Sequence, residues 1–157
     1  MREGSGGDEI AFDHDLNKLS IMEEFMEIIE YQTYRAEEIL PLYASVGWTA
    51  YTYAPDVLRR GFEKSLLTLA AYEEKTLAGL ARTVGDGETV VLVQDLLIFP
   101  QYQRRGIGTA LLRAVMERFA DVRQLQLLTD NTEKTLAFYR SLGLHELSDM
   151  GCCGFMR

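Results

Sequence analysis

A short segment with two arginines and two glycines stands between a predicted strand and a predicted helix. Residues 94–112 read QDLLIFPQYQRRGIGTALL, in which an apolar run ends at Pro100 and a helical pattern begins near Gly106. The N-terminus of a helix presents unpaired N–H groups and the positive end of the helix dipole, where phosphate binds readily. Glycine lets the backbone approach such a ligand closely. The segment therefore predicts a site for a phosphorylated ligand, and Arg104 and Arg105 add positive charge.

Two nucleotide-binding motifs are alternative interpretations of this segment. A P-loop requires G-x-x-x-x-G-K-[ST], which does not occur in the chain. A Rossmann fingerprint requires G-x-G-x-x-G, but Leu111 stands where the third glycine belongs. A tight turn that only packs the helix is a further alternative for the glycines, and a solvated surface is one for the arginines.

The hydrophobic patterns that must position this segment predict an α/β sandwich with a mixed sheet and no internal repeat. The predicted order is β-α-α-β-β-β-α-β-α-β-β, with the three central strands joined by short turns as an antiparallel meander. The predicted strands cover residues 26–34, 66–74, 77–87, 88–99 and 124–130, with two short ones in 144–157. The predicted helices lie in 36–47, from Pro55 onward, in 106–119 and in 132–143, with Asn131 or Thr132 as the N-cap of the last.

Composition bounds the class of protein. The chain has 157 residues, which suits one domain at 21–157, and its net charge is -8. Residues 1–20 are polar and glycine-rich and are predicted to form a flexible tail in which His14 is solvated. The acidic balance argues against nucleic acid and weakly favours cationic partners such as amines. Apolar runs are too short to cross a membrane, and no secretory signal is evident. Cys152 and Cys153 are adjacent, so we expect no disulfide framework and no spaced set of metal ligands. The low cysteine content favours a cytoplasmic protein. We expect a monomer or a homodimer.

Two segments together resemble one protein family. QRRGIG at 103–108 resembles the Q/R-x-x-G-x-G/A motif of the GNAT superfamily of acyl-CoA N-acetyltransferases. FYRSLGL at 138–144 resembles the FYxxLGF-like segment that follows it in that family. The resemblance extends over about residues 26–157, and VQDLLIFPQYQRRGIG is also loosely similar to small members that include plastid-type serotonin and lysine acetyltransferases.

The resemblance implies a mostly antiparallel, splayed sheet flanked by about four helices, with acetyl-CoA as co-substrate and no metal. It implies transfer of an acetyl group to a primary amine, either a small amine or the lysine or N-terminus of a protein. In this family the backbone amides of 104–109 would hold the pyrophosphate, and Leu96 and Ile98 would pair with the pantetheine arm. The cofactor-binding residues it implies are Leu96, Leu97, Ile98, Gln103, Arg104, Arg105, Gly106, Ile107, Gly108, Thr109, Asn131 and Tyr139.

The catalytic residues predicted for such a transfer are Tyr139 and Asp95. A tyrosine phenol can protonate the departing thiolate, and the resemblance places Tyr139 in that role; packing on the sheet is the alternative. The backbone N–H of Leu97 or Ile98 is the predicted oxyanion donor. Relatives often carry a base at the positions of Gln94 and Leu92, which are not bases here. Asp95 is the nearest carboxylate, and it is either a base turned by a bulge or a structural hydrogen-bonding group.

In the family that the chain resembles, the loop between the first two helices lines the acceptor pocket, and the resemblance therefore implies that role for the aromatic loop WTAYTY at 48–53. Aromatic faces can hold a cation or an aryl group, and a lid that packs on the core is the alternative. The predicted substrate-binding residues are Trp48, Tyr51, Tyr53 and Gln94.

Other residues carry weaker signals. Asn131 lies eight residues before Tyr139, one more than is common in the family, and a helix cap explains it equally well. We expect His145 to be structural or exposed and the two cysteines to be strand residues rather than nucleophiles. A non-catalytic acyl-CoA-binding sensor or interaction module on the same fold remains the alternative to the enzyme.

Overall fold

A computed structural model describes residues 26–157 and shows one five-stranded sheet in the order β1-β2-β3-β4-β5. The strands are β1 (Met26–Glu30), β2 (Leu67–Glu73), β3 (Thr76–Gly85), β4 (Val90–Ile98) and β5 (Gln124–Leu127). The α-helices of the described residues are α1 (Ala36–Ser45), α2 (Thr49–Thr52), α3 (Pro55–Glu63), α4 (Ile107–Arg118) and α5 (Glu133–Ser141). Short 3-10 helices occupy Pro100–Tyr102 and Leu147–Met150.

The sheet is mixed, as the patterns predicted. Strands β1 to β4 pair antiparallel in sequence order, whereas β4 and β5 pair parallel across the connection that contains α4. The β3–β4 turn is held by Asp86, whose Oδ1 accepts from the backbone N–H groups of Glu88, Thr89 and Val90 at 2.8 to 3.0 Å. These short connections fix the register of the meander, as polar turn residues commonly do.

Helices cover both faces of the sheet because its central strands are apolar on both sides. On one face, α1 and α3 bury Ile39, Leu42, Tyr43, Leu58 and Phe62 against the sheet. On the other face, α4 buries its apolar stripe, which consists of Ile107, Leu111, Leu112 and Val115. The spacing of that stripe is the helical repeat from which this helix was predicted.

Four sequence predictions about the fold need correction. Residues 144–157 form no strand: the Leu147–Met150 turn is followed by Gly151 at a φ of 72°, and 151–157 are exposed coil. Alternation in so short and glycine-rich a segment is not enough to recruit a sheet edge. Cys152 and Cys153 are accordingly exposed rather than buried in a strand. The aromatic loop contains the additional helix α2, and the first strand ends at Glu30.

Two further sequence predictions concern the N-terminal tail and membrane-spanning segments. The predicted tail at 1–20, with His14, lies outside the described residues. Within residues 26–157, no helix is long and apolar enough to cross a membrane.

We predict that Gly79→Ala destabilises the protein by about 1–3 kcal/mol or more because it overpacks the β3–β4 ladder. Gly79 pairs with Ile98, and a Cβ there would lie 2.5 Å from both the Leu97 carbonyl oxygen and the Cδ1 of Ile98. Thermal and urea unfolding measure the change. Gly61→Ala in α3 is the matched control, since its Cβ would meet nothing closer than an Arg82 nitrogen at 3.7 Å. Equal effects of the two substitutions would contradict the prediction.

Candidate active site

Strand β4 is paired on only half of one edge. Its residues 90–93 pair with Gln124–Leu127 of β5, and no described strand pairs with 94–98 on that side. The separation begins at Gln94, which is an extra residue in β4 because Arg82 pairs with Asp95 whereas Thr83 pairs with Val93. A bulge of this kind bends a strand and leaves ladder groups unpaired. Residues 94–98 thus form an open strand edge in the middle of the sheet.

The backbone direction of the open edge follows from one hydrogen bond. The N–H of Phe99 donates to the Ala78 carbonyl of β3 at 3.0 Å. Because backbone groups alternate along an antiparallel strand, the N–H groups of Ile98 and Leu96 point the other way, toward the open side. The Ile98 carbonyl there accepts from the Gln103 side chain at 3.1 Å.

Leu97 does not border the open edge, contrary to the sequence prediction. Its backbone has the same direction as that of Phe99, toward β3, and its side chain is buried in the core with Tyr43 and Leu80. Ile98 and Leu96 remain as the amides that face the gap.

The segment before α4 forms a concave row of backbone amides. Arg104 and Gly106 both adopt left-handed conformations, with φ values of 60° and 82°. Alternating conformations of this type turn successive N–H groups toward one point and create an anion-binding concavity. Within residues 26–157, no acceptor is found for the N–H groups of residues 104–109, and the first bond of the helix runs from Ala110 to the Gly106 carbonyl at 2.9 Å.

The N-terminus of α4 has no side-chain cap, since its N-cap is Gly106. By contrast, the N-cap of α5 is Thr132, whose hydroxyl accepts from the N–H of Thr135 and itself donates to Asp130 at 2.7 Å. The amides of α4 are therefore available to a ligand, whereas the N–H of Thr135 in α5 is already bound by the cap of its own helix.

The two arginines of this segment differ in their surroundings. Arg105 donates to the carboxylate of Glu73 at the end of β2 and lies 5.4 Å from the centre of the Tyr102 ring. The hydrogen bond to Glu73 is the main cause of a raised Arg105 pKa. Arg104 is exposed. The Arg105 side chain is thus engaged by the β2–β3 hairpin, which supports the alternative that this arginine belongs to a solvated surface.

Tyr139 lies in α5 and packs on the α4 side of the sheet, in the cluster that also holds Leu96 and Ile98. Its ring packs at 5.0 Å from that of Phe138, whose Cζ approaches the position that a Cβ on Gly108 would take. Burial raises the pKa of the Tyr139 phenol, and a side-chain hydrogen bond with Thr129, just after β5, acts in the opposite direction. The phenol is therefore held protonated at neutral pH between α5 and the end of β5.

The start of α5 shows which residue caps this helix. The helix cap is Thr132, so capping does not explain Asn131, which is exposed in the loop before it. His145 is exposed, as expected.

Asp95 is buried on the face covered by α1 and α3. Its Oδ2 accepts from the Tyr43 hydroxyl and from Nε of Arg82, each at 2.5 Å, and its side chain is 0% exposed. Burial, then the Asp95 charge, raises the pKa of Tyr43 far above its usual value. Burial acts to lower the pKa of Arg82, but Asp95 and Tyr43 raise it overall. The bulge thus places Asp95 in a buried ion pair with Arg82. The role of Asp95 as a general base stays a prediction.

One oxygen of this carboxylate is left without a partner. Oδ1 of Asp95 is enclosed and accepts no hydrogen bond from the described residues. Such atoms are rare in folded proteins because each costs about 1–3 kcal/mol.

The aromatic loop borders two cavities. Trp48 and Tyr51 stack at 5.8 Å, and each contacts the Tyr43 ring. Tyr51 lines a cavity of about 330 Å³ between α2 and α3, and Trp48 lines an open one of about 340 Å³. Tyr53 is 85% exposed and lines neither. Of the predicted substrate residues, the structure therefore groups Trp48 and Tyr51, while Gln94 lies half-buried at the bulge.

Sequence reasoning missed Arg82 and Tyr43. A signal was present, because Arg82 and Asp95 each interrupt an apolar strand pattern, in LAGLARTV and VLVQDLLI. Opposite charges in two consecutive strands of a meander indicate a buried pair, since neither charge is stable alone in a core.

Comparison with known proteins identifies the family. Residues 24–144 match the model of the Acetyltransferase (GNAT) family. An acetyltransferase of the GNAT family from Streptococcus pneumoniae is 37% identical, with a TM-score of 0.77 over 84% of this chain and 96% of that chain. An aminoglycoside N-acetyltransferase solved in complex with CoA is 18% identical, with a TM-score of 0.62 over 77% of this chain and 88% of that one. The predicted resemblance and fold class are confirmed.

A plant relative is similar over a shorter stretch. The chloroplastic GCN5-related N-acetyltransferase 2 of Arabidopsis thaliana is 35% identical over 75 residues, which are 45% of this chain and 28% of that protein. The chain thus spans less than a third of the length of this curated relative.

We predict that Arg82→Met lowers the free energy of unfolding by about 3–5 kcal/mol, because it leaves the Asp95 charge buried without its cation. Urea unfolding at neutral pH measures the loss. Arg59→Met is the control: Arg59 pairs with Glu63 on the exposed side of α3, where removing an ion pair costs less than about 1 kcal/mol. Equal losses of unfolding free energy in the two variants would contradict the prediction, because they would show that the Arg82–Asp95 pair contributes no more than an exposed ion pair.

Proposed function

Because the chain belongs to the GNAT acetyltransferase family, we propose that it transfers an acetyl group from acetyl-CoA to a primary amine by direct attack. The observation that carries this proposal is the adjacency of two unsatisfied backbone surfaces. The open edge of β4 at 94–98 leads directly into the uncapped amides of 104–109. An extended amide chain that ends in a pyrophosphate matches this order of strand edge and anion cradle.

The residues present fit coenzyme A in two respects. The N–H of Leu96 and the carbonyl of Ile98 supply strand-like hydrogen bonds for the pantetheine arm, with the Gln103 amide giving up its bond to the Ile98 carbonyl when the ligand binds. Amides at 104–109 and the dipole of α4 bind the pyrophosphate. When bound, the thioester supplies an acetyl group already activated toward an amine.

The side chains then have separate tasks in the transfer. The amide of Ile98, with no partner on the open side, donates to the carbonyl oxygen as negative charge develops on it. Tyr139 holds a proton on Oη, and it gives this proton to the departing sulfur as the C–S bond breaks and the C–N bond forms. Its raised pKa keeps the proton in place at neutral pH. Positioning two substrates on opposite sides of β4 contributes further.

The acceptor enters, in this proposal, from the α1–α3 side, where Trp48 and Tyr51 border the cavities. The aminoglycoside acetyltransferase of similar fold acts on an amine, and we propose an amine acceptor here as well. The proton of that amine passes to water or to Asp95, since Gln94 and Leu92 carry no basic group.

Calorimetric titration with acetyl-CoA tests the binding half of the proposal, with NAD and ATP as control ligands. We expect acetyl-CoA alone to bind. Gly106→Ala should weaken binding about tenfold, because a left-handed residue with a Cβ costs about 1–2 kcal/mol. Gly143→Ala is the matched control, since Gly143 has a similar φ of 84° but lies after α5, outside the cradle, and its substitution should leave acetyl-CoA affinity unchanged.

Arg105→Ala should change affinity little, because its guanidinium is already bound to Glu73. A protein that binds NAD or ATP, or does not bind acetyl-CoA, would overturn the proposal.

The second prediction concerns chemistry: Tyr139→Phe should lower kcat by about 100-fold or more, with little change in acetyl-CoA affinity. Steady-state rates with an amine panel measure the loss. The wild-type rate should show no loss of this acid below about pH 10, since burial raises the phenol pKa above its reference value. Tyr34→Phe is the control, because its hydroxyl is buried without a partner among residues 26–157 and lies on the α1 side.

Acetyl-CoA binding without turnover on any amine would favour the non-catalytic sensor. Full activity in Tyr139→Phe would remove this residue from the reaction.

A further inference from the structure

The cavity between α2, α3 and β3, here called the Arg82 cavity, has walls that suit a small ligand. Its volume is about 330 Å³, near the lower end of the range for small-molecule sites. Most of its lining is small or apolar, and the guanidinium of Arg82 supplies the charge. The lining residues are Ala50, Tyr51, Ala54, Val57, Leu58, Gly61 and Arg82.

Arg82 has donors that the protein does not use. Nε donates to Asp95, and Nη1 donates to the Ser65 hydroxyl at 3.2 Å and the Gly61 carbonyl at 3.4 Å. No acceptor for Nη2 is found within residues 26–157. Yet Nη2 is not among the enclosed partnerless atoms, which in this range are Tyr34 Oη and Asp95 Oδ1. Since Arg82 is the charged residue of the cavity lining, its guanidinium is the group that an anion in the cavity would meet.

The guanidinium is held in one orientation before any ligand arrives. Its side chain is 7% exposed, Asp95 fixes Nε, and the Phe62 ring lies 5.2 Å below the guanidinium carbon. A donor that is already ordered loses little conformational entropy on binding a ligand.

Arg82 also contacts a residue of β4 that lies beside the proposed reaction centre. Asp95, which orients Arg82, is a β4 residue between Gln94 and Leu96, where the open edge of that strand begins. The wall of the cavity and the open edge are therefore joined through the contact between Arg82 and Asp95.

We propose that the Arg82 cavity binds the amine acceptor and that Nη2 of Arg82 donates to a carboxylate of that acceptor. The acceptor class is then an amino acid or similar small amine with an acid group and a short hydrocarbon body. Guanidinium and carboxylate form strong, charge-assisted hydrogen bonds, and the apolar lining fits the hydrocarbon part. This inference rests on the proposed acetyl transfer, because it names the acceptor of that reaction.

The test uses ω-amino acids of three to six carbons, each compared with the alkylamine of the same length. These pairs keep an ordinary alkylamine pKa, so a difference in rate reports the acid group. We expect kcat/KM to favour the amino acid by about tenfold or more for at least one length. Pentanoate, which lacks an amine, should inhibit competitively with the acceptor, and pentanol should not.

Two variants locate the effect. Arg82→Lys keeps a cation beside Asp95 but loses the planar fork, so the preference for the acid should fall severalfold. Ala50→Phe fills the cavity without touching the ion pair, and it should raise KM for the amino acid with acetyl-CoA affinity unchanged. Ala44→Phe is the matched control, at an exposed position of α1 outside the cavity lining.

The outcomes separate the two proposals. Amines acetylated equally well with and without the acid group, or no inhibition by pentanoate, would overturn the carboxylate inference and leave acetyl transfer standing. Equal effects of the Ala50 and Ala44 substitutions would place the acceptor outside the Arg82 cavity. Failure to bind acetyl-CoA in calorimetry would overturn acetyl transfer itself.

Discussion

The single extra residue at Gln94 is the constraint on which the arrangement depends. Without it, β4 would continue to pair with β5, and Asp95 would share a face with Val93 against α4. With it, Asp95 turns toward Tyr43 and Arg82 on the opposite face, while Val93 stays in the α4 core. The same shift frees the amides of residues 96 and 98 from any strand partner. One backbone irregularity thereby produces an open edge and a buried charge side by side.

The two faces of the sheet are consequently specialised. On the α4 side, backbone atoms dominate the candidate site, because left-handed turns at Arg104 and Gly106 and an uncapped helix leave N–H groups without acceptors. Backbone groups recognise an anion without any particular side chain. On the α1–α3 side, side chains dominate the candidate site, because the Trp48–Tyr51 stack lies beside a cavity that is also lined by Arg82. In the proposed function, the side chains of that face would select the acceptor, and the backbone amides would hold the anion.

Much of the fold and of the candidate site could be predicted from local sequence patterns. The features that could not be predicted depend on contacts between residues distant in sequence. The meander, the stripe of α4 and the glycine-rich cradle follow from spacing and turn chemistry that act within a few residues. The bulge does not, because a one-residue shift leaves no mark on an apolar run. The engagement of Arg105 by Glu73 also joins residues 32 positions apart. The strands expected in 144–157 did not form because alternation over so short and glycine-rich a segment does not by itself pair with a sheet edge. The cap is Thr132 rather than Asn131 because Asp130 orders the Thr132 hydroxyl.

The arginines show how burial changes what a residue type means. Arg104 and Arg105 are conspicuous beside the glycines, yet they are exposed, and Arg105 is neutralised by a surface carboxylate whose contribution to stability is small. Arg82 is inconspicuous in the middle of a strand, yet it is buried with Asp95. Well-packed apolar residues often stabilise a core as well as a buried ion pair does, so stability alone is a poor reason for such a pair. In the proposed function the Arg82–Asp95 pair has a second role besides stability. The Arg82 charge, which costs free energy to bury, would bind the carboxylate of the acceptor.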